Sequence, residues 1–238
     1  MTSSSEKDLE TGVASSEAGT KNNDDQIQDP NIVWWDDDND PECPMNWPAK
    51  WKTINVCLIS GWTFLTPLAS SMVAPGILDI LTDFHSTNVT LGSFVVSIFV
   101  LGYAIGPLFL APLSEIYGRT AVYHVSNVLF VIWTLACAFA PNLGALLVFR
   151  FFEGMAGVCT LTIGSGTISD LIPPERRGAF MAIYSLGPLL GPVIGPIAGA
   201  FLSQAEGWRW VFRVLTIAVS LIPLYFSESY TNKSSPAS

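Results

Sequence analysis

Beyond a polar N-terminal stretch, the chain alternates between long apolar runs and short polar interruptions. A bilayer's hydrocarbon core needs about 20 apolar residues per helix. Six stretches qualify, at about 54–74, 91–113, 120–140, 145–168, 180–202 and 208–226. The first, second, third and fifth hold no Asp, Glu, Lys or Arg; the charges inside spans are Arg150 and Glu153 in the fourth and Arg209 and Arg213 in the sixth. The pattern predicts an all-α integral membrane protein, a six-helix bundle over residues 49–230, between a tail of 1–48 and a short C-terminal tail of 231–238.

The fifth run tests that solvent assignment. In GPLLGPVIGPIAG, Gly187, Gly191, Gly195 and Gly199 recur every fourth residue, and Pro188, Pro192 and Pro196 follow the first three. In a water-exposed helix each proline costs roughly 3 kcal/mol and each glycine about 1, a sum comparable to a whole domain's stability. Collagen needs a period of three and a Pro/Gly linker is polar, whereas Leu189, Leu190, Val193, Ile194 and Ile197 fill the gaps here. In lipid, helix is enforced, and Gly and Pro become tolerable because neighbouring helices satisfy the freed backbone groups.

Charge changes the picture only at the N-terminus. The chain carries a net charge of -9, but residues 1–45 alone hold twelve acids and two bases, leaving the rest close to neutral. That tail has few aliphatics and is expected to be a disordered acidic arm; it opens without an apolar run, so no cleavable signal peptide is expected. Cys57, Cys137 and Cys159 sit in apolar runs and Cys43 in the tail, with neither zinc nor disulfide spacing, and are read as small apolar residues. No metal, cofactor or nucleic-acid partner is expected.

Basic residues in short loops orient the spans. Lys50, Lys52, Arg119, Arg176, Arg177 and Lys233 all fall on one side of the six-span arrangement, while the alternate loops at 75–90, 141–144 and 203–207 have none. Both termini are therefore expected in the cytosol. Asn88-Val89-Thr90 is a glycosylation sequon on an outer loop, close to the membrane surface, and Asn232-Lys233-Ser234 falls inside and should stay bare. Trp47, Trp51, Trp208 and Trp210 stand at span ends, where indole rings favour the headgroup zone.

Three charged motifs carry candidate chemistry. APLSEIYGRT (111–120) is a cytosolic turn in which Glu115 and Arg119 flank a reversal permitted by Gly118. LLVFRFFEGMAGVCT (146–160) buries Arg150 in a span, a cost of about 2.5–3.5 kcal/mol unless it faces a cavity or partner. Glu153, three residues on, shares its face and is the candidate partner, while Gly154 and Gly157 admit a neighbouring helix. SDLIPPERRGAFMA (169–182) places Asp170, Arg176, Arg177 and Gly178 around a proline-stiffened cytosolic loop.

Together these motifs resemble the N-terminal half of a major facilitator superfamily transporter of the fungal drug:proton antiporter group. Leu113–Arg119 is similar to the superfamily's signature between spans two and three, Phe149–Gly154 to its fourth-span signature, and Gly191–Ala200 to the antiporter motif of span five. Asn46-Trp47-Pro48, Lys50-Trp51 and Gly207-Trp208-Arg209-Trp210 point to the fungal branch. The resemblance implies a multi-pass protein, most naturally of the plasma membrane, that exchanges protons for a small organic compound such as a drug or toxic metabolite. Arg150 and Glu153 would serve transport or proton coupling. Glu115, Gly118 and Arg119 would form a gating turn with the loop at Asp170, Arg176, Arg177 and Gly178. Gly191, Gly195, Pro196 and Gly199 would form a close-packing, bendable ridge.

Thr120 stands where the turn motif often carries a base, Ala200 replaces a glycine, and Arg213 occupies a place more usually aromatic. The resemblance runs over roughly 44–230, six spans short of the family's twelve. The chain is therefore expected to be a half-transporter, inactive unless paired with a second half. The alternative from another class is a six-helix membrane interaction protein that associates with a full-length relative and modulates it. No span presents a nucleophile with a base, so an enzyme is not expected.

Overall fold

The computed structural model describes residues 46–231, with side chains described to Leu221; the acidic arm, Cys43 and the Asn232 sequon lie outside the described residues. Among the described residues, eight α-helices form six rods. The first is α1 (Ala49–Met72), a 3-10 turn (Ala74–Gly76) and α2 (Ile77–Asp83); then come α3 (Val89–Tyr117) and α4 (Arg119–Ala138). The fourth rod is α5 (Leu143–Gly157) with α6 (Cys159–Leu171), followed by α7 (Pro174–Glu206) and α8 (Trp208–Thr231). No strand occurs among the described residues. The first five rods are long and apolar enough to cross a membrane, and α8 is one more helix packed against α1, α4 and α7.

The helices outrun the predicted spans, and the interhelical turns are correspondingly shorter. Between α3 and α4 the expected turn of several residues is a single glycine, Gly118, at φ 82°, a left-handed value only glycine adopts freely. The expected loop at 169–182 is likewise short, since Pro174 occupies the first helical position of α7, Glu175 sits in its first turn, and Arg176, Arg177 and Gly178 are helical. A proline lacks the N–H that a first turn leaves unused, and an acid there complements the helix dipole. Asn88 and Asn142 cap α3 and α5, their side chains accepting from Thr90 N at 3.0 Å and Ala145 N at 2.8 Å. The fourth span, predicted continuous, runs as one rod over Leu143–Leu171 with a single turn residue at Val158, whose N–H donates to Gly154 O at 3.3 Å and whose carbonyl accepts from Thr162 N at 3.0 Å.

Glycine sets the tightest helix contacts. Gly187, Gly191, Gly195 and Gly199 are all buried on one face of α7, and that face lies on α1. A Cβ on Gly187 would stand 3.0 Å from Phe64 N, and one on Gly199 would run into Met72 O. Ser71 Oγ donates to Gly191 O at 3.3 Å across the same seam. Pro192 and Pro196 are exposed and Pro188 half-buried on a helix that remains continuous over 33 residues. A second seam joins α3 to α5, where a Cβ on Gly102 would meet Phe151 O and one on Gly154 would meet Phe99 O. Backbones that close are the geometry small residues provide between helices in membranes.

Candidate functional site

Arg150 and Glu153 meet in the middle of the bundle. Arg150 NH1 lies 3.0 Å from Glu153 Oε2, and both side chains are 0% exposed. One turn of α5 puts the two residues on one face, so the pairing is local; four other helices, α1, α3, α4 and α8, complete it. Arg150 NH1 and NH2 each donate to Ala69 O at 3.3 Å, and NH2 also to Ser70 O at 3.4 Å. These carbonyls belong to the last turn of α1, where the helix has no N–H of its own to offer; Val73 N–H bonds Ser71 O instead of continuing the ladder to Ala69. The guanidinium thus caps α1 with the charge that its C-terminal dipole favours.

Aromatic rings and α4 close the remaining sides. The Arg150 guanidinium carbon lies 4.9 Å from the Phe99 ring centroid and 5.3 Å from that of Phe212, cation–π contacts strengthened by exclusion of water. Thr134 Oγ1 is 3.0 Å from Glu153 Oε1, and Cys137 Sγ donates to Oε2 at 3.5 Å. Cys137 is therefore not the small apolar filler its surroundings in sequence imply. Next to the pair is a cavity of about 210 Å³ lined by Pro67, Ser70, Ser71, Phe99, Tyr103 and Pro192 among others. It shares Phe99 and Ser70 with the arginine's own surroundings.

At the end of the bundle where α4 and α7 begin, the two charged motifs meet in part. Arg119 NH2 lies 3.1 Å from Asp170 Oδ2, and the Arg119 guanidinium lies across α6 where Gly166 leaves room for it. Arg177 NH2 donates to Ser169 O at 2.8 Å, beside Asp170. Glu115, Arg176 and Gly178 stand apart from this cluster and are exposed. At the opposite end Asn88 is exposed, its amide oxygen engaged as the α3 cap.

The sequence pattern missed the partners more than the principals. Gly102-x-x-x-Gly106, a small-residue spacing that signals close helix contact, predicts the α3–α5 seam. Thr134 and Cys137, three apart on an apolar helix, were the available sign of a polar stripe toward Glu153. Trp208, the first residue of α8, is buried within the bundle, stacking edge-on to Phe212 and donating from Nε1 to Asp83 Oδ2 at 2.9 Å. Arg209 NH1 shares that carboxylate oxygen at 2.8 Å.

A bundle of long apolar helices sealed by glycine seams, with an ion pair buried where five of them meet, is the architecture of half a membrane transporter. The chain belongs to the Major Facilitator Superfamily, whose family description matches residues 59–238, a family of transporters rather than enzymes. It is 56% identical over 217 residues to the MFS-type transporter penM of Penicillium rubens, covering 91% of this chain and 42% of that protein. It is 52% identical to the efflux pump radE of Floropilus chiversii, over 83% of this chain and 37% of that one. The chain thus spans less than half the length of these curated relatives. In fold it is similar to an inward-facing bacterial homologue of the lysosomal transporter Spinster, with TM-score 0.68 at 20% identity over 77% of this chain and 44% of that one. The xylose transporter XylE from E. coli matches at TM-score 0.63 and 17% identity, over 76% of this chain and 48% of that one.

Proposed function

We propose that this chain forms one wall of a proton-coupled antiporter that exports a small hydrophobic or cationic organic compound. What carries this is the fully buried Arg150–Glu153 pair beside an apolar, aromatic-lined cavity. Phe99 and Tyr103 offer rings to a hydrophobic cation, and Glu153 offers a carboxylate that a proton can neutralise. Protonation weakens the hold of Glu153 on Arg150, and the arginine's remaining bonds run to the end of α1. The proton state of α5 is thereby coupled to the position of α1, which bears part of the cavity wall. The name of the relative radE, an efflux pump, supports the outward direction. The basic residues gathered at one end of the rods support cytosolic termini, and the plasma membrane is the site such export requires.

The Arg119–Asp170 bridge, tying the start of α4 to the end of α6, serves as the gate on the cytosolic end, with Gly118 as its hinge. Gly191, Gly195 and Gly199 hold α7 to α1, and Pro196 supplies the bendable side of that helix. A second half-transporter completes the cavity. A second reading is favoured by the exposed apolar faces of α3 and α7 that flank it, with Leu108 73% and Phe201 73% exposed. These faces also suit a full-length relative, which the chain would then modulate.

Export of a fluorescent lipophilic cation from cells expressing the chain, alone or with its complementary half, tests both readings. The transport reading expects export that collapses with the proton gradient, is lost in Arg150→Ala and Glu153→Gln, and survives deletion of residues 1–45. Export indifferent to the gradient, or unchanged in Glu153→Gln, overturns it. Export seen only as a change in a co-expressed relative's rate supports the modulator.

A further inference from the structure

Of the two arginines in the sixth span, neither of them part of the Arg150–Glu153 pair or the cavity lining, Arg213 stands without a carboxylate among the described residues. It lies about one and a half turns into α8, and no ion pair or hydrogen bond engages it among the described residues. Its neighbour one turn back, Arg209, has Asp83. The Arg213 guanidinium instead lies over two rings, 5.1 Å from the Trp210 centroid and 5.9 Å from that of Phe139, the residue that ends α4.

The surroundings decide what Arg213 meets. Trp210, Val214 and Ile217 recur along one stripe of α8 and are 38%, 39% and 59% exposed, and Leu135 and Phe139 on the adjacent α4 are 42% and 67% exposed. In a membrane protein such paired apolar stripes face lipid tails. A guanidinium with five N–H donors and no protein acceptor cannot remain in that environment unsatisfied. It lies near the end of the rod, within reach of the headgroup layer for a long side chain that extends toward it. An indole alongside is a typical headgroup-level anchor.

We propose that Arg213, with Trp210 and Phe139, binds the phosphate of a membrane phospholipid in the groove between α4 and α8. The two rings hold the guanidinium plane, its N–H groups donate to the phosphate oxygens, and the acyl chains lie along the exposed stripe of α8. An arginine suits this role because its planar fork pairs with two phosphate oxygens at once.

Native mass spectrometry of the full chain in detergent, titrated with phosphatidylglycerol, tests the site. The wild type should retain a bound phospholipid, and Arg213→Gln should weaken retention at least about tenfold, the loss of a charge-assisted contact. Arg213→Lys should keep part of it, and inorganic phosphate at millimolar concentration should not displace the lipid. Trp210→Leu, which leaves the charge in place, should give an intermediate loss and keeps the test decisive if Arg213→Gln fails to fold. Equal retention by wild type and Arg213→Gln, no loss in Trp210→Leu, or displacement by inorganic phosphate overturns the proposal. Equal retention would also be the outcome if a protein carboxylate, rather than lipid, covered this face.

Discussion

Removing one member of the Arg150–Glu153 pair leaves the other charged and stranded in a site without water. Breaking a buried pair from one side costs about 3–5 kcal/mol, whereas replacing both partners by apolar residues of similar size is often neutral. Arg150→Met and Glu153→Met should each lower the thermal midpoint of the detergent-solubilised chain strongly, and the double variant should recover much of the loss. An additive double variant would mean that Ala69, Ser70 and Thr134, not the partner charge, satisfy each group. The arginine and its acid were legible from sequence because a charge inside an apolar run demands a partner and i, i+3 spacing supplies one. Their surroundings were not. Two backbone carbonyls at the end of α1 have no residue-type signature, and Phe99 and Phe212 become ring partners only once α3 and α8 are packed.

At the level of helices, glycines of identical composition should behave oppositely according to what they face. Gly154→Ala and Gly199→Ala drive a methyl group into Phe99 O and Met72 O, backbone atoms that cannot swing aside. Each should be destabilising by at least about 1–3 kcal/mol, the range for overpacking a fitted contact. Gly178→Ala meets nothing within 4 Å and lies in the first turns of α7, so it should stabilise by up to about 1 kcal/mol from helix propensity. Thermal unfolding of the three variants side by side checks the contrast, and a destabilising Gly178→Ala would place that glycine in a contact the helix does not show. The Arg119–Asp170 bridge differs again: with side chains 39% and 51% exposed, it adds little stability, at most about 1 kcal/mol before solvent screening is counted. Asp170→Asn should leave the midpoint within a degree or two while altering export, if the bridge is a gate. Spacing of four along α7 announced the seam with α1, but not which helix would fill it. The ends of α3 and α7 were misplaced because a helix persists through charged residues once its first or last turn projects beyond the apolar layer.

Taken whole, six rods return the chain to the end from which it started, and the sidedness of that end follows from where the cations lie. Lys50 and Lys52 precede the first rod, Arg119 opens the third, and Arg176 and Arg177 open the fifth. The opposite end carries two, Arg209, paired with Asp83, and Arg213. Basic residues beside short loops resist passage across the membrane, and five against two sets the orientation. A cysteine introduced at Thr87 should therefore react with a membrane-impermeant maleimide added to intact cells, and one at Arg176 only after the cells are opened. A Cys43→Ser chain supplies the background, since Cys57 is exposed toward its surroundings but lies within an apolar rod, and Cys137 and Cys159 are buried. Labelling at Arg176 in sealed cells would invert the bundle. The Arg119–Asp170 bridge would then lie on the outer end, and the proton reaching Glu153 would have to enter past it rather than leave by it.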